Sequence, residues 1–212
     1  METTAKIQLS PEEFELVNNT QWIVSKHIIT KKVYDMLGEI SEILKNQSSD
    51  INRLFPENLK YQNPKISKGE NYQLLPYVML DYPAFFWKDR IIAIRTMFWW
   101  GNFFSVSLHL SGVHKKQLSL NNAKVLSFLQ KNEFYICINH KEWEHHFLPD
   151  NYIKASEITN LLYDEINQKH FFKVAKKIPL TQWNNAGEFI QETFKKIIEL
   201  LQISYQGDRK DL

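Results

Sequence analysis

One reversal of the chain, between two segments that are apolar on both sides, constrains the fold more than any other feature. Residues 90–111 read RIIAIRTMFWW, then Gly101-Asn102, then FFSVSLHLS. Glycine at the first central position fits a two-residue type II′ hairpin, which sets Trp100 opposite Phe103. Strand alternation then sorts the side chains. Ala93, Arg95, Met97, Trp99, Phe104, Val106, Leu108 and Leu110 fall on one face. Ile92, Ile94, Thr96, Phe98, Trp100, Phe103, Ser105, Ser107, His109 and Ser111 fall on the other. The first face reads as core, with Arg95 as its one charge and Leu108 as that residue's cross-strand neighbour. The second is aromatic near the turn and polar behind it. Three large rings in one cluster mark a contact surface. Both faces are therefore expected to be covered, one by helices and the other by a loop, a second chain or a ligand.

The flanking segments fit around this hairpin. Ser10, Pro11 and Glu13 form a helix-start signature. Apolar residues then recur at helical spacing from Phe14 and Val17 through Trp22, Ile28, Val33, Leu37, Ile40 and Leu44. This predicts one very long helix or a helical pair over 11–46, with any break near Asn18-Asn19. Residues 55–71 read as irregular, being punctuated by Pro56, Pro64 and Gly69. Gln73 to Asp81 is an extended run in which Pro76 marks an edge or a bulge. Further on, the pattern predicts a helix over Leu120 to Lys131 and a strand in EFYICIN. That strand is paired with EWEHHFL through a turn near His140-Lys141. A helix over Ser156 to Asn167, a strand in FFKVAKKI and an amphipathic helix over Asn185 to Tyr205 follow.

Consecutive strands with no helix between Gln73 and Ser111 favour antiparallel pairing. The expected fold is α+β: an antiparallel sheet of about five or six strands packed on long N-terminal and C-terminal amphipathic helices. It is read as a single domain over 1–212, with a helical segment at 11–46, a β-meander at 73–111 and mixed elements at 119–205. The 26 basic and 24 acidic side chains leave a net charge of +2, too little for a strong directing field. A single cysteine, Cys137, excludes an intramolecular disulfide and fits a reducing, cytoplasmic setting. The N-terminus lacks an apolar signal core, and serines and histidines interrupt the aromatic run, so no membrane segment is expected.

Candidate chemistry is sparse. Arg95 reads as a buried ion pair with Asp81, Asp89 or a helix carboxylate, or else as an anion clamp. His140, Glu144 and His146 supply at most half a metal site, and no metal or cofactor is expected. Cys137 reads as an inert buried thiol, and neither a G-x-S-x-G elbow nor a phosphate loop occurs. The lysines of 173–177 and other bases near aromatics would allow weak nucleic-acid contacts, but nearly equal acids offset them.

These observations favour a non-catalytic cytoplasmic protein that binds a second copy of itself or a small molecule through the aromatic side of the 90–111 hairpin. The candidate residues are Arg95, His109, Trp100, Phe98, Phe103, Ser105, Ser107, Tyr77 and Asp81. The alternative is an enzyme acting on a small polar or anionic substrate, with Arg95 orienting it and His109 as general base. A weak nucleic-acid binder ranks third.

Overall fold

A computed structural model describes residues 7–46, 63–117 and 123–204. The expected cap of the first helix is present: the Ser10 hydroxyl accepts from the Glu13 amide, and the Glu13 carboxylate returns the bond. Helix α1 (Pro11–Asn18) ends at Asn19, whose side-chain oxygen accepts from the Trp22 amide at 3.1 Å and opens α2 (Thr20–Asn46). One polar residue thus closes one helix and caps the next, placing the break where the sequence allowed it. The lower half of α2 buries Val33, Leu37, Ile40 and Leu44, the i, i+3, i+4 stripe of an amphipathic helix.

Among the described residues, seven strands form one antiparallel sheet: β1 (Lys65–Tyr72), β2 (Leu75–Phe86), β3 (Ile91–Trp99), β4 (Phe103–Ser111), β5 (Tyr135–Cys137), β6 (Tyr152–Lys154) and β7 (Phe171–Pro179). Their spatial order is β1-β2-β3-β4-β7-β5-β6. Helices α3 (Gly112–Lys116), α4 (Ala123–Lys131) and α5 (Asn160–Gln168) connect strands, and α6 (Ala186–Ser204) closes the described chain. A 3₁₀ turn at Leu180–Asn185 leads into α6. On one face of the sheet, α2 and α6 share a core with Val78, Leu80, Ile94, Phe98, Phe104, Val106, Leu108, Leu110 and Phe172. Among the described residues, no helix is long and apolar enough to cross a membrane.

Three local expectations need correction. Lys65 to Tyr72, read as irregular, is strand β1; it is polar because it pairs on one side only, at the sheet edge. Its register slips between Gly69 and Tyr72, opposite Pro76, so the proline sits against a bulge. EWEHHFL is not a strand, because β5 pairs with β6 and β7 instead. The hairpin register also differs by one residue: Trp99 faces Phe103 and Arg95 faces Ser107. The loop therefore holds three residues, with Asn102 donating to the Trp99 carbonyl at 3.0 Å. Gly101, at φ +71°, occupies the position where a type II turn requires positive φ.

Candidate functional site

That single-residue shift regroups the candidate residues. Phe98 and Trp100 lie on the helix-covered side, where Phe98 packs on Phe104 and Trp183, and Trp100 meets Trp22. Phe103, Ser105, Ser107 and His109 instead share the opposite face with Arg95 and Trp99. Asp81 and Tyr77 on β2 fall in the same rows, beside Arg95 and Trp99. The expected neighbour of Arg95, Leu108, points away into the core. Seven of the nine candidates thus share one face of the sheet, while Phe98 and Trp100 lie on the other.

The cover over this polar face is the connection at 138–151, a loop with no regular structure among its residues. It is fastened chiefly by its main chain. Tyr72 accepts from the His145 amide at 2.7 Å and the His146 amide at 3.1 Å, and its hydroxyl donates to Glu144 at 3.2 Å. Lys173 on β7 is 1% exposed and donates to the Glu142 and Glu144 carbonyls at 2.9 and 2.6 Å. Burial lowers its pKa to about 8, because leaving water penalises the charged form. Lys169 donates to the carbonyls of Cys137 and Asn139.

Beneath the loop the charges are mutually satisfied. Arg95 Nε donates to Asp81 Oδ1 at 2.7 Å and Nη2 to Oδ2 at 3.4 Å, so Asp81 is the partner among the three that the sequence allowed. The guanidinium lies between the rings of Phe86 and Trp143, 5.2 and 5.6 Å from their centroids. His109 is fully buried, and its Nε2 lies 3.2 Å from Glu142 Oε2. An ionised Glu142 can only accept, so the ring carries its proton on Nε2. Burial holds the His109 pKa below its ordinary range, and the hydrogen bond from His109 lowers that of Glu142. Burial pushes His145 well below the usual histidine range, with Lys173 and Arg95 adding to the effect.

A cavity of about 290 Å³ remains between floor and loop. Arg95, Met79 and Met97 form its base, with Tyr72, Tyr77, Trp143 and His145 around them. Gly69 shapes one wall, since a Cβ there would collide with the Tyr77 ring. Tyr72 and Tyr77 thus meet in this pocket, with Trp143 as its tryptophan. Trp87 stacks on Phe85.

A second cleft, about 880 Å³, lies between α3, the end of α5 and the Lys88-Asp89 turn. Glu142 forms part of its wall and stands between buried His109 and exposed His170, at 3.2 and 3.6 Å. Of the metal-like residues, His146 meets Glu144 at 3.7 Å and Asp150 at 3.9 Å. Among the described residues, no group of three or more His, Cys, Asp or Glu is placed to hold a metal. In the basic run, Lys173 and Lys176 donate to carbonyls, and Lys177 stands over Phe103, Tyr135 and Phe147.

Residue spacing read Lys173 only as part of a basic run and did not set Glu142 beside His109. The one available signal for Lys173 was a lysine in a strand between Phe171, Phe172, Val174 and Ala175, where only a partnered charge is stable. Comparison with known proteins gives no match: no family model, no curated protein and no solved structure is similar to this chain at a significant level.

Proposed function

We propose that the chain is a non-catalytic cytoplasmic binding protein that takes a small ligand into the cavity between Arg95 and Trp143. The observation that carries this reading is a pocket with a guanidinium at its base and aromatic walls, at the lower edge of the ~300–1,000 Å³ usual for ligand sites. Asp81 engages Nε and Nη2 of Arg95, leaving Nη1 for a carboxylate or carbonyl. Trp143, Tyr72 and two methionines suit a flat apolar body. Pairing of the charged groups supports a non-catalytic role: Arg95 is held by Asp81, His109 by Glu142 and Lys173 by carbonyls. Cys137, a free buried thiol, supports the reducing compartment.

The test is titration with small aromatic and aliphatic carboxylates, followed by tryptophan fluorescence and calorimetry. Saturable binding is expected, and the charge-balanced double variant Asp81→Leu/Arg95→Met should weaken it at least ~10-fold. If no compound in the set binds, or the double variant binds equally well, the reading fails. One observation favours an enzyme instead: Glu142 set behind exposed His170 on the larger cleft is the arrangement that orients a general base. Turnover of ester or phosphoester substrates that disappears in Glu142→Gln would shift the choice to that reading.

A further inference from the structure

The first two helices carry a concentrated share of the apolar surface that the fold leaves open. Nineteen large hydrophobic side chains are exposed among the described residues, and nine of them lie between Ile7 and Ile28. Every residue of α1 is exposed, Phe14 at 63% and Val17 at 67%. An unpacked helix needs more than about 12–15 residues to persist in water, and α1 has eight. Its formation therefore calls for a packing partner. Trp22, at the base of α2, meets Trp100 edge-on at 6.3 Å, which extends the hairpin's aromatic surface into this arm. Ile23, Val24 and Ile28 continue it along α2 at 48–50% exposure.

Charge identifies the occupant. Helix α1 carries Glu12, Glu13 and Glu15 and no base, whereas α2 from Thr20 to Tyr34 carries Lys26, His27, Lys31 and Lys32 and no acid. Lys26 and Lys31 are paired within the chain, to Glu70 and Asp35; His27 and Lys32 are exposed. The arm is thus complementary to itself. Laying α1 of one copy along α2 of another sets acid against base, and a two-fold axis repeats the contact. An anionic membrane would instead meet three glutamates on the leading helix. We infer that Ile7 to Ile28 is a dimerisation arm, with α1 of each copy packed on the first half of the other's α2. Its size matches the ~20–30 residues a side of a standard interface. It lies apart from the Arg95 cavity and does not depend on that reading.

Sedimentation of the full chain should show a monomer–dimer equilibrium. Phe14→Asp/Val24→Asp alters only exposed positions, so the cooperative unfolding of the sheet domain should stay unchanged and circular dichroism should lose no more than the short α1, while dimerisation weakens at least ~100-fold. Glu15→Lys and Lys32→Glu should each weaken it about fivefold. An equimolar mixture of the two should recover the original strength, because each α1 then meets a complementary α2. The inference is overturned by a chain that stays monomeric up to about 1 mM, or by a dimer indifferent to Phe14→Asp/Val24→Asp. A mixture no tighter than either variant, or capture of the monomer by phosphatidylserine vesicles, overturns it as well.

Discussion

The helix-side face of the sheet buries Phe104, Val106, Leu108 and Leu110 beneath α2 and α6, whereas the reverse of the same strands buries Asp81, His109 and Lys173 and half-buries Arg95 beneath an irregular loop. On the first side, stabilisation follows area and shape, and no single partner is obligatory. On the second, each group must find a particular counterpart or cost free energy. Dry packing there supports the strands, while directional bonds select one path for the loop.

The largest effect should come from the dry side. Phe104→Ala is expected to cost about 3–5 kcal/mol, read from urea denaturation, with the loop still seated in amide exchange. Next, Asp81→Leu should cost about 3 kcal/mol, because Arg95 is left uncompensated, while adding Arg95→Met should return stability to within about 1 kcal/mol of the parent. If the double variant stays as unstable as the single one, the ion pair contributes net stability and the contrast between the faces is wrong.

The smallest effect is titration. Folding lowers the His109 pKa from its ordinary 6.5, so the stability gained with the neutral ring is complete above that value. It is lost as pH falls through the histidine range, because the unfolded chain then binds more protons. His145 acts with the same sign. The denaturation midpoint should decline as the pH is lowered from 7 towards 5. His109→Gln should flatten the decline; an unchanged slope would mean that His109 is charged in the fold.

The sheet's existence, the α+β class, the place near Asn18-Asn19 where a helix break would fall, and the need of Arg95 for a carboxylate, with Asp81 as one of three options, were legible, since each rests on local periodicity, capping or the need to neutralise a buried charge. Hairpin register was not. Hydrophobic pattern fixes register only when one face is wet, and β4 is buried at every position on both sides, so a three-residue loop and a two-residue loop fit it equally. Strand β1 escaped notice because an edge strand with one partner needs little apolar alternation. EWEHHFL alternates like a strand, yet its path is set by Tyr72 and Lys173, which are too distant in sequence to leave a local sign.

Tyr72 and Lys173 grip the loop mostly by its amides and carbonyls rather than by its side chains. Trp143 and His145, which overhang the cavity, are thereby spared the main share of that task, their rings adding contacts with Arg95, His109 and Tyr72. New residues at those two positions would reshape the ceiling while the main-chain bonds to Tyr72 and Lys173 stay. The arrangement makes the shape of the cavity a separately adjustable trait, one that can drift while the scaffold stays the same.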